Sequence, residues 1–154
     1  MTCNFLALAR PSLQGLSPYV PGKPIEELAR ELDLNPADIV KLASNENPLG
    51  PSPKVLAAIE KELPELTRYP DGNGFILKQK LAEHYGVEPE QVTLGNGSND
   101  ILDLVAQAWL APGLNAVFSQ YAFAVYPIAT TIAGAECRVV PAKDYGHDLE
   151  AMLQ

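Results

Sequence analysis

The sequence predicts an α/β protein with a parallel sheet and helices on its faces. From Gln91 onward, strand-type segments alternate with helix-type segments, an order typical of parallel sheets because parallel strands need a long crossover between them. Glycine and proline mark the ends of these segments, as Gly86 and Gly134 do after two predicted helices. Apolar residues make up 47% of the 154 residues, which is enough for one ordinary core.

The first part of the chain is predicted to be an extended arm. Residues 1–24 contain four prolines and show little periodicity, so we expect the arm to need another surface to hold it. A short helix is then predicted over residues 24–32, with Pro24 in its first turn. The apolar residues of that helix lie on one face.

Two further helices are predicted before residue 90. Ser52 is a plausible cap for a helix that runs to about Leu63. The second helix is predicted from about Phe75 to Tyr85. The polar segment 44–50 predicts a loop, and residues 68–72 predict a turn.

The last part of the chain carries the α/β pattern. Strands are predicted at 92–94, 116–118 and 136–140, and helices at 98–110 and 123–133. The apolar side of the helix at 98–110 is predicted to consist of Ile101, Leu102, Val105, Ala108 and Trp109. Three short strands do not make a well-covered parallel sheet, so we expect this sequence to be part of a longer one.

Composition argues against several classes of function. The net charge is -8 and no Lys/Arg cluster is present, which makes nucleic acid and anionic membranes poor partners. No apolar run reaches the roughly 18 residues that span a bilayer, and we predict no signal peptide. Cys3 and Cys137 form no metal-binding pattern, and His84 and His147 have no matching ligands nearby. We therefore expect no metal site and a cytoplasmic location.

The segment 94–100 (LGNGSND) is the best candidate binding site. It lies between a predicted strand and a predicted helix, where free backbone N–H groups and the positive end of the helix dipole suit a phosphate group. Gly95 and Gly97 let the backbone approach a ligand closely and take a positive φ. Ser98 and Asn99 add side-chain donors, and either is a candidate helix cap.

Taken alone, the segment is weak evidence, because such a turn before a helix is more often only a turn and a cap. It matches neither the G-x-G-x-x-G pattern nor a Walker loop. A carboxylate beside a phosphate would repel it. We therefore expect Asp100 to point away from the ligand, or to act as a partner of the helix dipole in the first turn.

Four segments, in this order, resemble the histidinol-phosphate aminotransferases. Residues 44–51 (SNENPLGP) resemble the N-E-N-P-x-G segment of that family, and residues 68–71 (RYPD) resemble its R-Y-P-D turn. The segment 94–100 resembles its G-N-G-S-D-E phosphate loop, with Asn-Asp in place of Asp-Glu. Residues 121–126 (YAFAVY) resemble the segment that carries a ring-stacking aromatic residue.

The resemblance implies a fold-type-I enzyme that uses pyridoxal 5'-phosphate (PLP). Such an enzyme is a homodimer with active sites at the subunit interface. It transfers an amino group between glutamate and the keto form of histidinol phosphate, in histidine biosynthesis. By the resemblance, Gly97, Ser98 and Asn99 would bind the cofactor phosphate, and Phe123 would stack on the pyridine ring. Tyr69 would reach the phosphate of the partner's cofactor.

The resemblance also implies residues on the substrate side of the pocket. Tyr19, in the arm, would close over the substrate, and Asn45 and Asn47 would shape the pocket. Each residue also has a structural interpretation: Phe123 or Tyr126 as core, and the two asparagines as hydrogen-bond partners of loop backbone. Both interpretations stay open on the sequence alone.

The resemblance divides the chain into three segments. Residues 1–35 would be the arm with its short helix, 36–90 a small-domain or linker segment with two helices, and 91–154 the start of the PLP-binding large domain. The catalytic lysine of the family lies in a Ser-x-x-Lys segment, and none of the seven lysines here has that setting. We therefore assign no catalytic residue and expect this chain alone to be poorly folded and inactive. The seven are Lys23, Lys41, Lys54, Lys61, Lys78, Lys80 and Lys143.

Two other functions remain open on the sequence. A related PLP enzyme, such as a threonine-phosphate decarboxylase, would share the phosphate loop and the aromatic segment. A non-catalytic module that binds a phosphate ligand would need only the loop. The missing half of the sequence, or substrate assays, would separate the related enzyme from the leading hypothesis. The gene sequence after Gln154 separates the module, because an enzyme requires a further open frame with Ser-x-x-Lys and a stop codon there would favour the module.

Overall fold

The structure, a computed structural model, describes residues 5–154, with side chains from Ala7 onward. Cys3 lies outside the described residues. This part of the chain forms six α-helices, five short 3-10 helices and two strands. The α-helices and strands are α1 (Ile25–Leu32), α2 (Pro53–Glu62), α3 (Phe75–Tyr85), α4 (Ser98–Trp109), β1 (Asn115–Ser119), α5 (Val125–Ala133), β2 (Glu136–Val140) and α6 (Leu149–Met152).

Contacts between residues divide the described chain into two units, with the boundary inside α3. We call them the large unit, which holds the described residues up to Tyr19 together with residues 78–154, and the small unit, residues 20–77. The predicted division into three segments stays a prediction.

A two-stranded parallel sheet forms the centre of the large unit. Asn115 of β1 pairs with Glu136 of β2, and the register continues to the pair Ser119 and Val140. The crossover between the strands contains α5, which ends where Gly134 takes a left-handed conformation at φ 79°. The sequence predicted both strands and this helix end, because strand propensity and the glycine signal are local.

The core of the large unit lies between α4 and α5. Ala106, Val125 and Ala129 are buried there, and Leu102 and Leu110 pack against them. These α4 positions are four residues apart and so lie on one face of the helix.

The predicted apolar side of α4 was partly wrong. Val105 is 45% exposed and Trp109 is 71% exposed, although both are apolar. The apolar face of α4 is wider than the surface that α5 covers, so burial follows the line of Leu102, Ala106 and Leu110 instead. Position on a helix face is set by sequence, whereas burial depends on what packs against that face.

The predicted strand at 92–94 does not form within the described residues. Val92 has extended backbone angles, φ -103° and ψ 117°, but residues 92–94 pair with no neighbouring strand. An extended segment becomes a strand only when a second segment completes its hydrogen bonds. That pairing is non-local, and the sequence pattern at 92–94 carries no information about it.

The small unit contains α1, α2 and the first residues of α3, joined by loops. Ser52 Oγ accepts a hydrogen bond from the N–H of Lys54 at 3.3 Å, which confirms the predicted cap of α2. Lys23 lies just before α1, and its hydrogen bond to Glu31 raises the pKa of the lysine, with Glu27 adding to this effect. Ala29 is the buried residue of α1.

A side chain four residues before α3 binds the first amide of the helix. Asp71 Oδ2 accepts the N–H of Phe75 at 2.8 Å, and Asp71 Oδ1 accepts the N–H of Asn73 at 3.0 Å. Asp71 lies in the predicted turn at 68–72, where an aspartate commonly accepts the backbone N–H two residues later, but the contact with Phe75 was not predicted. The predicted range of α3 and its end before Gly86, at φ 67°, are confirmed.

Candidate functional site

The loop before α4 leaves the first amides of the helix open. Gly97 is the residue that precedes the helix, and no side chain accepts a hydrogen bond from the first turn. The N–H groups of Ser98, Asn99 and Asp100 have no carbonyl four residues back within the helix. These amides and the positive end of the helix dipole can bind an anion.

Gly97 takes a conformation that is essentially restricted to glycine. Its φ is 86° and its ψ is 174°. A Cβ atom built at this position meets nothing within 4 Å, so no other part of the described chain covers the backbone on that side. The residues of this loop thus fit a phosphate group, which needs open donors and close approach to the chain.

Asp100 reaches back to the loop. Its Oδ2 atom accepts the N–H of Asn96 at 3.0 Å. Asp100 lies in the first turn of α4, where a negative charge is stabilised by the helix dipole. Of the two arrangements expected for this residue, the structure has the second.

Tyr19 and Phe123 lie together in the large unit. Their ring centroids are 5.6 Å apart and the rings meet edge to face at 69°. Phe123 is 46% exposed and lies just before α5. That helix starts at Val125, two residues later than predicted. The sequence resemblance assigned these two residues to the same pocket, and the structure brings them into contact.

Tyr126 contacts a buried ring. Its ring centroid lies 5.9 Å from that of Phe118, which is buried on β1. Phe123 and Tyr126 are similarly exposed, at 46% and 41%, and neither belongs to the core cluster of the large unit. The two residues differ in the ring that each contacts, and both interpretations of them stay predictions.

The other candidate site residues lie in the small unit. Tyr69 is fully exposed. The Nδ2 of Asn47 donates to the carbonyl of Gly50 at 3.2 Å, and its Oδ1 accepts the N–H of Leu49 at 3.1 Å. Asn45 has a left-handed backbone at φ 50°. The side chain of Asn47 therefore holds its own loop, which was the structural interpretation of this residue.

No group of three or more His, Cys, Asp or Glu side chains among the described residues is placed to hold a metal ion. Among the same residues, no helix is both long and apolar enough to cross a membrane.

Comparisons with known proteins agree with this geometry. The family model "Aminotransferase class I and II" matches residues 37–154. The chain belongs to this aminotransferase family. Histidinol-phosphate aminotransferase 2 of Pseudomonas fluorescens Pf-5 is 75% identical over 154 residues, which are 100% of this chain and 42% of that protein. The protein of the same name from Pseudomonas aeruginosa PAO1 is 75% identical over 97% of this chain and 41% of its own.

A solved structure shows the same fold. Histidinol-phosphate aminotransferase from Sinorhizobium meliloti, in complex with pyridoxal-5'-phosphate, superposes with a TM-score of 0.79 at 29% identity. The match covers 93% of this chain and 37% of that one. The predicted resemblance and the α/β, fold-type-I class are therefore confirmed. The chain spans about two fifths of the length of the curated relatives that it matches.

Proposed function

We propose that this chain provides the phosphate-binding part of a PLP-dependent aminotransferase that acts on histidinol phosphate. The observation that carries the proposal is the set of open amides at the start of α4, in a family member 75% identical to proteins named for this activity. The enzyme would transfer an amino group between glutamate and the keto form of histidinol phosphate. Its substrates would be histidinol phosphate and 2-oxoglutarate.

The loop before α4 would hold the cofactor phosphate. The amides of Gly97, Ser98 and Asn99 would donate to phosphate oxygens, and the hydroxyl of Ser98 would add a further donor. No Lys or Arg occurs between Arg68 and Arg138 except Lys78 and Lys80 on α3, so the loop itself would bind the phosphate through neutral donors and the helix dipole.

Aromatic residues would bind the ring and cover the substrate. Phe123 offers about half of its surface and would stack on the pyridine ring of PLP. The ring of Tyr19 meets the ring of Phe123 edge to face, and Tyr19 would close over the substrate from the arm. PLP, when bound, supplies an electron sink for the bond-breaking step, while the residues of this chain bind and orient it.

The small unit would contribute residues to the same chemistry. Tyr69 would reach the phosphate of the cofactor bound by the partner subunit of a homodimer, which agrees with its full exposure here. Asn45 would shape the substrate side of the pocket, and Asn47 would do so through the loop that it holds.

We place the enzyme in the cytoplasm, because histidine biosynthesis uses small soluble metabolites.

The proposal is tested with the full product of the gene that encodes this chain. The purified protein, loaded with PLP, is given histidinol phosphate and 2-oxoglutarate, and formation of glutamate is measured. We expect glutamate only when both substrates and PLP are present. Release of carbon dioxide from threonine phosphate, without amino transfer from histidinol phosphate, would identify the related decarboxylase instead.

A further inference from the structure

The carboxylate of Asp100 ties the first turn of α4 to the loop before it. In a capping box, an acid at the third helical position accepts the N–H of the residue directly before the helix, while a Ser or Thr at that residue accepts an amide of the first turn. Asp100 is the third residue of α4, but it accepts the N–H of Asn96 at 3.0 Å, one residue before Gly97. Gly97 has no side chain that could accept an amide of the first turn.

The absence of a side chain at Gly97 has a consequence for the first turn of α4. A Ser or Thr in place of Gly97 would use an amide of that turn for its own hydroxyl. Here the loop is held from the Asn96 side only, and the amides that would bind an anion stay open. The same helix end is therefore fixed in position and still open to a ligand.

Gly95 makes room for this contact. A Cβ atom built on Gly95 would lie 2.9 Å from Asp100 Oδ2 and 2.8 Å from Ile101 Cδ1, both shorter than real contacts of this kind. The two glycines of the loop thus have different tasks. Gly95 provides the space that the Asp100 carboxylate occupies, and Gly97 provides the backbone turn.

We propose that Asp100 is a positioning residue for the phosphate of PLP. Its carboxylate oxygen holds the N–H of Asn96, and this contact orients the amides of Gly97, Ser98 and Asn99 toward the phosphate. The inference rests on the proposed function. The site needs the oxygen acceptor and not the negative charge of Asp100, because the charge itself repels a phosphate.

The proposal is tested by comparing two ligands that differ in one group. PLP and pyridoxal share the ring, but only PLP has the phosphate. The full gene product is prepared without cofactor, and the dissociation constants of both ligands are measured by absorbance or fluorescence. The ratio of the two constants reports the phosphate contacts and cancels changes that affect the ring alone.

We expect Asp100→Ala to lower the preference for PLP over pyridoxal by about threefold to tenfold, the effect of one net hydrogen bond. Asp100→Asn keeps an oxygen acceptor and loses the charge, so its preference should equal or exceed that of the parent protein. Asp103→Ala, on the next turn of α4, is the matched control and should keep the parent preference.

An unchanged preference in Asp100→Ala would overturn the proposal. A lower preference for PLP in Asp100→Asn would also overturn it, because that variant keeps the acceptor. If the alanine variant does not fold, the asparagine variant alone tests the proposal. If the parent protein binds PLP and pyridoxal equally, the proposed phosphate site itself is wrong. That outcome is visible before any variant is made.

Discussion

At the scale of single residues, the loop before α4 depends on backbone geometry more than on side chains. Gly97 has φ 86° and ψ 174°. Residues with a Cβ atom rarely adopt this backbone conformation, because the Cβ atom would clash with the backbone. The sequence predicted a role for this glycine. It did not predict the contact between Asp100 and Asn96, since the path of a loop cannot be derived from residue types alone.

Replacing Gly97 with alanine should destabilise the loop. We expect Gly97→Ala to lower the free energy of unfolding of the full gene product by about 1–3 kcal/mol and to weaken PLP binding. Gly72→Ala is the matched control, because Gly72 has no positive φ and a Cβ there meets nothing within 4 Å. Chemical denaturation measures both variants, and equal effects would argue against a special conformation at Gly97.

The two aromatic residues near the start of α5 should respond differently to truncation. Phe123→Ala should weaken PLP binding with little change in stability, because the ring that Phe123 contacts, Tyr19, is itself 47% exposed. Tyr126→Ala should lower the free energy of unfolding by about 1–2 kcal/mol, because its ring packs on Phe118. Thermal unfolding and PLP titration separate the effects. The reverse pattern would exchange the two assignments.

At the scale of secondary structure, the sequence predicted what is determined locally. The Ser52 cap, the glycine after α3 and the range of β2 all follow from short-range signals, and the structure has each of them. Two features that depend on distant parts of the chain were predicted wrongly. Residues 92–94 have no strand partner, and Trp109 lies on a face of α4 that nothing in the described chain covers.

The cap of α2 offers a test at this scale. Ser52→Ala removes the acceptor of the Lys54 N–H and should lower the free energy of unfolding by about 1 kcal/mol. Ser52→Asp retains an acceptor at the same position and should lie within a few tenths of a kcal/mol of the parent. Urea denaturation of the full gene product decides this. A larger loss in the aspartate variant would contradict the capping role.

At the scale of the whole molecule, much apolar surface faces solvent. Six apolar residues are buried in the described chain, and four of them are alanine. The accessible surface is 13246 Å², whereas a folded monomer of this length exposes roughly 7,600 Å². Burial of apolar surface is the main source of folding free energy, so these 154 residues have little of it by themselves.

The 154-residue polypeptide alone should therefore unfold without a cooperative transition and bind a hydrophobic dye. It should also show no transaminase activity, because no lysine in it has the Ser-x-x-Lys setting. Circular dichroism during heating, dye fluorescence and the glutamate assay test these expectations. A sharp thermal transition together with amino transfer would contradict them.

The most direct test of the central claim is a crystal structure of the full gene product with PLP. We predict that the phosphate oxygens lie within hydrogen-bond distance of the amides of Gly97, Ser98 and Asn99, with the ring against Phe123. A phosphate bound elsewhere, with the start of α4 open to solvent, would contradict the claim.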